Sequence, residues 1–300
     1  MLKFVSEFIH GFRNIGEQKT LEFLNYQILR DFIYWRKIYL MNIQGFYKDS
    51  ITFFKNEFVN KKGDSNFFTT LCLRKYYESL SMVGEGKYVE EKIKEELKKV
   101  PNNSKTYFEY LNILGTIFGQ RGNIKEAINI YKELEGKYTG FNLMDVYNHL
   151  GICYALEGNF GKSKEYLLKY IELCRGEQKL LHLATGYVNY ANLFFYENDL
   201  NTAIKYLRKA EKLNRKLNNK VALITISSNL SLFLHRTGKI QEGLAEAKKY
   251  LRVAVDLKNY RGAGILFYRI GEIQMDSFKF KTAFKTFERA VNCFKLAGEE

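Results

Sequence analysis

The chain has 300 residues, a single proline (Pro101), 46% hydrophobic residues and 27% charged ones. That apolar content excludes a disordered chain. The near absence of proline excludes a turn-rich all-β chain, and the even spread of charge leaves no run of ~18 apolar residues to cross a bilayer. The net charge of +14 is concentrated at the end: residues 201–300 hold 20 Lys/Arg against 9 Asp/Glu. Such a bias fits an acidic partner, a nucleic acid or a solvated lysine-rich face.

From the N-terminus, Phe4, Phe8, Ile9 and Phe12 make one helical stripe, and Leu21, Leu24, Ile28 and Phe32 a second. Residues 1–30 are therefore expected to be N-terminal capping helices. Glu7 and His10 interrupt the first apolar run, so it does not read as a signal peptide, and a cytoplasmic protein is expected. From residue 31 onward the chain repeats itself. A column of small residues reads Ser79, Gly115, Gly151, Ala191, Ser231 and Gly271, in steps of 36, 36, 40, 40 and 40. Seven residues beyond these positions, and beyond Ile38, stand Gly45, Gly86, Gly122, Gly158, Asn198, Gly238 and Phe278. Gly and Asn accept the left-handed conformation that ends a helix; Phe278 departs from the pattern. Two residues further on, Tyr47, Tyr88, Ile124, Phe160, Leu200, Ile240 and Phe280 are all apolar or aromatic. Ser50, Glu91, Ala127, Ser163, Ala203, Gly243 and Ala283 follow the small column by twelve, and small side chains there let two helices approach closely. Each unit thus predicts two antiparallel helices. The first runs through the small column. The second opens just past the turn, where Asn123, Asn159 and Asp199 stand as N-caps. No segment reads as a strand.

Within these units, Leu114, Gly115 and Phe118 fit L-G-x2-aromatic, as do Leu150, Gly151 and Tyr154; Ala127 with Tyr131 and Ala283 with Phe287 fit A-x3-aromatic. On these residues the chain resembles the tetratricopeptide repeat. The resemblance covers about residues 31–300, in a long, 40-residue form that looks like that of bacterial signalling and regulatory repeat proteins. It implies an all-α, right-handed α-solenoid superhelix of about seven helix-turn-helix units over residues 31–300, following the capping helices of residues 1–30.

Catalytic chemistry is hard to find. The four histidines, His10, His149, His182 and His235, have no ligand spacing. Gly84-Glu85-Gly86-Lys87 lacks the spacing and the hydroxyl of a phosphate loop and falls on a repeat turn. Cys72, Cys153, Cys174 and Cys293 are too widely spaced for a disulfide framework and read as buried reduced thiols. The chain is read as not an enzyme, with no cofactor and no metal.

Stacked first helices bring equivalent positions into one row. That row holds Asn112, Asn148, Asn189, Asn192 and Asn229, with Phe195, Tyr268 and Arg269 beside them. A carboxamide offers a donor and an acceptor together, so it can grip a peptide backbone without reading its side chains. Tetratricopeptide-type bacterial peptide receptors are similar in using groove asparagines this way. The expected function is a non-catalytic protein- or peptide-binding scaffold. The expected partner is a protein or peptide, for which an acidic one fits the charge, and no membrane is involved. A second reading is the sensory and oligomerisation region of a transcription regulator whose DNA-binding part lies elsewhere, since Trp35, Tyr39 and Phe46 continue a repeat unit where a helix-turn-helix would be needed. Nucleic-acid binding ranks third, through Arg261, Arg269, Lys279, Lys281, Lys285 and Arg289 interleaved with Tyr260, Tyr268, Phe278 and Phe280. The last pair is expected to expose Ile265, Phe267, Val291 and Phe294 in part, which points to a homo-oligomer through the C-terminal end or to a longer chain.

Overall fold

The structure is a computed structural model describing residues 18–43, 47–59, 67–138 and 140–298. The expected stripe at Phe4–Phe12 and the turn at Gly45 lie outside them. Among the described residues there is no strand, and no helix is long and apolar enough to cross a membrane. The chain divides into two compact units, Met1–Glu85 and Gly86–Glu300.

In the first unit, α1 (Gln18–Ile43), α2 (Tyr47–Phe54) and α3 (Phe67–Leu80) pack together. α1 runs unbroken through residue 30, so no helix end falls between the expected cap and the expected first repeat. Ile38 and Cys72 are fully buried, and the rings of Phe54 and Tyr76 stack at 4.3 Å. The small-column Ser79 donates to Asn42 Oδ1 at 2.8 Å, while Asn42 Nδ2 donates to the Lys75 carbonyl at 3.0 Å. The left-handed residue after α3 is Gly84 (φ 93°), not Gly86; the chain leaves helical geometry at Val83 (φ −96°, ψ 15°) and Gly84, so the break comes two residues early.

The second unit is a solenoid of antiparallel pairs. α4 (Gly86–Leu97) is followed by α5 (Lys105–Gln120) with α6 (Ile124–Glu135), and α7 (Gly140–Leu156) with α8 (Phe160–Gly176). Then come α9 (Leu180–Tyr196) with α10 (Leu200–Lys216), α11 (Lys220–Arg236) with α12 (Ile240–Lys249) and α13 (Leu251–Asp256), and α14 (Tyr260–Asp276) with α15 (Phe280–Leu296).

One turn geometry generates this array. From residue 158 a left-handed residue recurs every 20 positions: Gly158, Gln178, Asn198, Asn218, Gly238, Lys258, Phe278 and Gly298. At each junction the next backbone N–H reaches back to a carbonyl of the preceding helix, as Asn159 does to Tyr154 (2.8 Å) and Lys279 to Gln274 (2.8 Å). These bonds satisfy carbonyls that the helix end leaves free. The following residue then caps the next helix. Asn159, Asp199, Asn219 and Asn259 each accept from the backbone N–H three residues on.

The small columns sit where the two helices of a pair cross. A Cβ added to Gly151 would lie 2.6 Å from Leu167 Cγ, and one on Gly271 would lie 2.5 Å from the Phe287 ring. Ala127, Ser163, Ala203 and Ala283 on the facing helices are 0% exposed. Ser163 uses the closeness to donate to the Gly151 carbonyl at 2.8 Å. In the α11 pair the close atoms belong to the facing backbone, and a Cβ on Gly243 would meet the Ser231 carbonyl oxygen at 2.9 Å. There Ser227 Oγ donates to the Glu246 carbonyl, the acceptor that the Tyr250 N–H would use in a continuous helix. Tyr250 leaves helical geometry (φ −112°, ψ 5°). The second helix of this pair is therefore split into α12 and α13, whereas α8, α10 and α15 each run 17 residues.

Charged groups tie α10 to α12. Glu211, nearly buried, accepts from Arg208 (2.9 Å), Arg215 (2.8 Å) and Lys249 (2.8 Å), and Arg208 also donates to Glu246 (2.6 Å). At the far end, the outer side of α15 exposes Phe280, Phe284, Val291 and Leu296 by half or more, while Ile265, Phe267 and Phe294 are half-buried. All four cysteines are free, and three are buried.

Two outcomes follow. A phenyl side chain gains nothing from a left-handed backbone that costs roughly 1–2 kcal/mol for ordinary residues, and Phe278 is 81% exposed. Phe278→Asn is expected to raise the urea midpoint, by about 1 kcal/mol of stability; an unchanged or lower midpoint contradicts the turn geometry. For Glu211, burial opposes ionisation, but the hydrogen bonds from Lys249, Arg208 and Arg215 outweigh it and bring its pKa down from 4.5 to about 2. A carboxylate held below its unfolded value stabilises the fold above pH 4.5 and loses that contribution as pH falls towards 2. The acid-unfolding transition of Glu211→Gln should accordingly be shallower over that window, with stability at pH 7 lower by roughly 2 kcal/mol.

Candidate functional site

The first helices α7, α9 and α11 carry equivalent residues at 40-residue spacing, so their side chains meet across the row. Two carboxamide bridges join them. Asn189 Nδ2 on α9 donates to Asn148 Oδ1 on α7 at 2.7 Å. Asn229 Nδ2 on α11 donates to Asn192 Oδ1 on α9 at 3.4 Å. All four asparagines are half-buried rather than enclosed. Each bridge consumes one donor and one acceptor. Asn148 keeps both N–H groups beyond its bridge, and Asn189 keeps one N–H and its carbonyl oxygen.

Between α7 and α9, beside the first bridge, lies a pocket of about 110 Å³ lined by Ile152, Ala155, Leu156, Leu167, Asn189, Asn192, Leu193 and Tyr196. Leu156 and Tyr196 stand half-exposed at its rim. Its floor is apolar and its polar edge is the two asparagines, an arrangement suited to one aliphatic side chain next to a hydrogen-bonding backbone. Leu156 and Tyr196 occupy equivalent positions 40 residues apart, five beyond the small column. Their equal spacing is the signal the sequence carries; their exposure shows only in the structure.

The remaining expected site residues are placed differently. Asn112 on α5 is 3% exposed, and its carboxamide oxygen meets no hydrogen-bond partner; as it stands it presents no edge to a ligand. Phe195 stacks on Phe233 at 4.8 Å and lies beneath the Arg236 guanidinium, 5.4 Å from the ring centroid, so it packs the α9–α11 junction. Tyr268 is half-exposed and lies against Phe287 at 5.6 Å. Arg269 Nη1 already donates to Glu272 at 2.6 Å, so a ligand carboxylate would compete with that carboxylate. The structure thus brings Asn148, Asn189, Asn192 and Asn229 together and leaves Asn112, Phe195, Tyr268 and Arg269 in other surroundings.

The histidines of this row are structural neighbours. His149 Nδ1 lies 2.7 Å from the Asp145 carbonyl, and its ring stacks on Tyr131 at 4.8 Å. His182 sits near the Tyr170 hydroxyl at 3.5 Å, and burial holds its pKa below the ordinary imidazole value. His235 Nε2 lies 2.9 Å from Asp276 Oδ2 and links α11 to α14. Among the described residues no group of three or more His, Cys, Asp or Glu could hold a metal ion.

Comparison with known proteins places these helices. Residues 145–176 and 184–217, which are α7–α8 and α9–α10, match the tetratricopeptide repeat. No curated protein matches the chain. Among solved structures, a Rap protein complexed with Competence and Sporulation Factor is 12% identical with a TM-score of 0.66, covering 90% of this chain and 78% of its own. NprR in complex with its cognate peptide NprX is 15% identical (TM-score 0.57; 86% and 77% covered). Aspartyl phosphate phosphatase F from Bacillus subtilis is 13% identical (TM-score 0.59; 88% and 74% covered). The α7–α8 and α9–α10 pairs thus match the tetratricopeptide repeat, and the fold is a tetratricopeptide-like α-solenoid.

Proposed function

We propose that this repeat protein is a non-catalytic, cytoplasmic scaffold that holds an extended peptide along the row of first helices α7, α9 and α11. The observation that carries the reading is the pair of asparagine bridges on either side of one small apolar pocket. Helices packed 8–10 Å apart present successive bridges at about the distance covered by three residues of extended peptide. The unused N–H groups of Asn148 and the free edge of Asn189 can pair with one peptide unit, while the pocket between Ile152, Leu156 and Tyr196 takes a neighbouring aliphatic side chain. The net charge favours a partner with acidic residues. The neighbours solved with NprX and with Competence and Sporulation Factor support this reading, since each shares the fold and was solved with a bound factor.

The test is fluorescence anisotropy with a fluorescein-labelled pool of random heptapeptides, sorted for the tightest sequences. Asn189→Ala with Asn229→Ala is expected to weaken the selected peptides by about fivefold per lost bond, near 1 kcal/mol each. Leu156→Asp should change which residue the pool prefers at one position. Circular dichroism is expected to stay that of the parent chain. Selected peptides that bind both variants like the parent would overturn the reading.

A further inference from the structure

The basic end of the chain concentrates on one helix. α10 carries Lys205, Arg208, Lys209, Lys212, Arg215 and Lys216 against a single acid, Glu211. That acid does not neutralise the surface. It is nearly buried and committed to Arg208, Arg215 and Lys249. What remains on the outer face is Lys205, Lys209, Lys212 and Lys216, all exposed. Their spacing of four, three and four residues puts them in one stripe, roughly 16 Å long at 1.5 Å per residue.

No acidic side chain pairs with these four among the described residues. Other helices of the same unit behave differently. Lys94 pairs with Glu90, Lys99 with Glu96, Lys132 with Glu135 and Lys169 with Glu165. Pairing at i+3 or i+4, the ordinary way of solvating a lysine on a helix, is thus used elsewhere in the unit and, on α10, by Arg208 and Arg215 but by none of the four lysines of the stripe. Three successive like-charge neighbours along the stripe repel one another instead. The surface continues onto the next second helix. Lys248 and Arg252 stand one 40-residue repeat beyond Arg208 and Lys212, and both are exposed. Lys209 is steered outward over the rings of Tyr206 (4.5 Å) and Tyr187 (5.7 Å).

We propose that this face of α10, extended by Lys248 and Arg252, binds the phosphodiester backbone of a nucleic acid. The choice of occupant follows from what the face lacks. A protein helix docks through a buried aromatic or apolar anchor, and a membrane surface requires an apolar wedge. The stripe has neither, its nearest exposed apolar residue being Leu217 at its end. A linear polyanion can bind through charge alone, because each phosphate neutralised releases condensed counterions. The sequence ranks nucleic acid third, on residues of α14 and α15. The structure moves the case to α10, away from the groove, so the peptide reading and this one stand or fall separately.

The experiment measures anisotropy of two labelled probes, a 20-base-pair DNA duplex and a 20-nucleotide single-stranded RNA, both of mixed sequence, from 50 to 300 mM salt. Lys205→Gln, Lys209→Gln, Lys212→Gln and Lys216→Gln together are expected to weaken binding at least tenfold. For the duplex they should flatten the slope of log K against log salt by about 3, at about 0.9 per phosphate contact. The control removes the same charge from α4 and the turn after it, as Lys92→Gln, Lys94→Gln, Lys98→Gln and Lys99→Gln, and should bind like the parent. The probe bound more tightly tells duplex from single strand. Absence of binding to both probes at 50 mM salt overturns the proposal, as does equal loss in the control. Binding to polyglutamate in place of either nucleic acid overturns it in favour of an acidic protein.

Discussion

At Gly151 and Gly271 the two helices of a pair pass so closely that a single methyl group would collide with the facing Leu167 or Phe287 side chain. This approach governs the rest of the second unit. Once the crossing point is fixed to a glycine, alanine or serine column, each helix has only one rotation about its axis that seats its partner, and larger side chains must point elsewhere. Leu150, Leu167, Leu193 and Leu207 are driven to near-complete burial. The residues on the opposite side of each first helix are left to form the row that holds the asparagine bridges. Where backbone meets backbone at the crossing, at Gly243, the helix that carries the glycine does not survive as one piece. The bond from Ser227 to the Glu246 carbonyl replaces a helical one, and the chain breaks at Tyr250.

The turns transmit that constraint along the chain. Because helix and connection together take 20 residues, equivalent side chains fall into line every 40. Side chains on neighbouring first helices are thereby brought within reach of one another, and Asn189 meets Asn148, 41 residues before it, while Asn229 meets Asn192, 37 before it. The same arithmetic acts on the outer side, where Glu211 and Glu246 meet Arg208 and Lys249 across one repeat. Both sets of contacts follow from one periodicity, and they differ in consequence. On the first helices the bridges leave hydrogen-bonding edges free beside a pocket. On the second helices the acids are used up internally, and the lysines of α10 are left over.

Much of this was legible in the residues. The small columns, the apolar residues past each turn and the Asn or Asp caps mark positions where backbone geometry permits few side chains, so they show through in a single sequence. The alternate turns at Gln178 and Lys258 were not visible, because neither residue type favours the left-handed conformation that the helices on either side impose, and Asn218, though of a suitable type, lies outside the 40-residue column of turns. Phe278, a misfit by residue type, takes the same conformation for the same reason. Gly84 displaces Gly86 because the chain already leaves helical geometry at Val83, and the next glycine takes the left-handed turn. Side-chain partners lay further from reach. The burial of Asn112 and the capture of Arg269 by Glu272 depend on neighbouring helices, and spacing alone treats them as equal to Asn189 and Asn229. The isolation of the α10 lysines likewise required knowing that Glu211 points inward.

The dependence on close helix approach is tested most directly by comparing two leucine substitutions in one repeat. Gly151 lies at the crossing, whereas Gly161 is exposed, with no neighbouring atom nearer than 3.9 Å to an added Cβ. Urea denaturation of Gly151→Leu should show a loss of roughly 1–3 kcal/mol from overpacking. Gly161→Leu should hold or gain a few tenths, up to about 0.8 kcal/mol, because leucine favours the helix over glycine. Equal stability of the two variants would mean that the helices do not cross at the small column, and the account of the groove and of the outer face built upon it would fall.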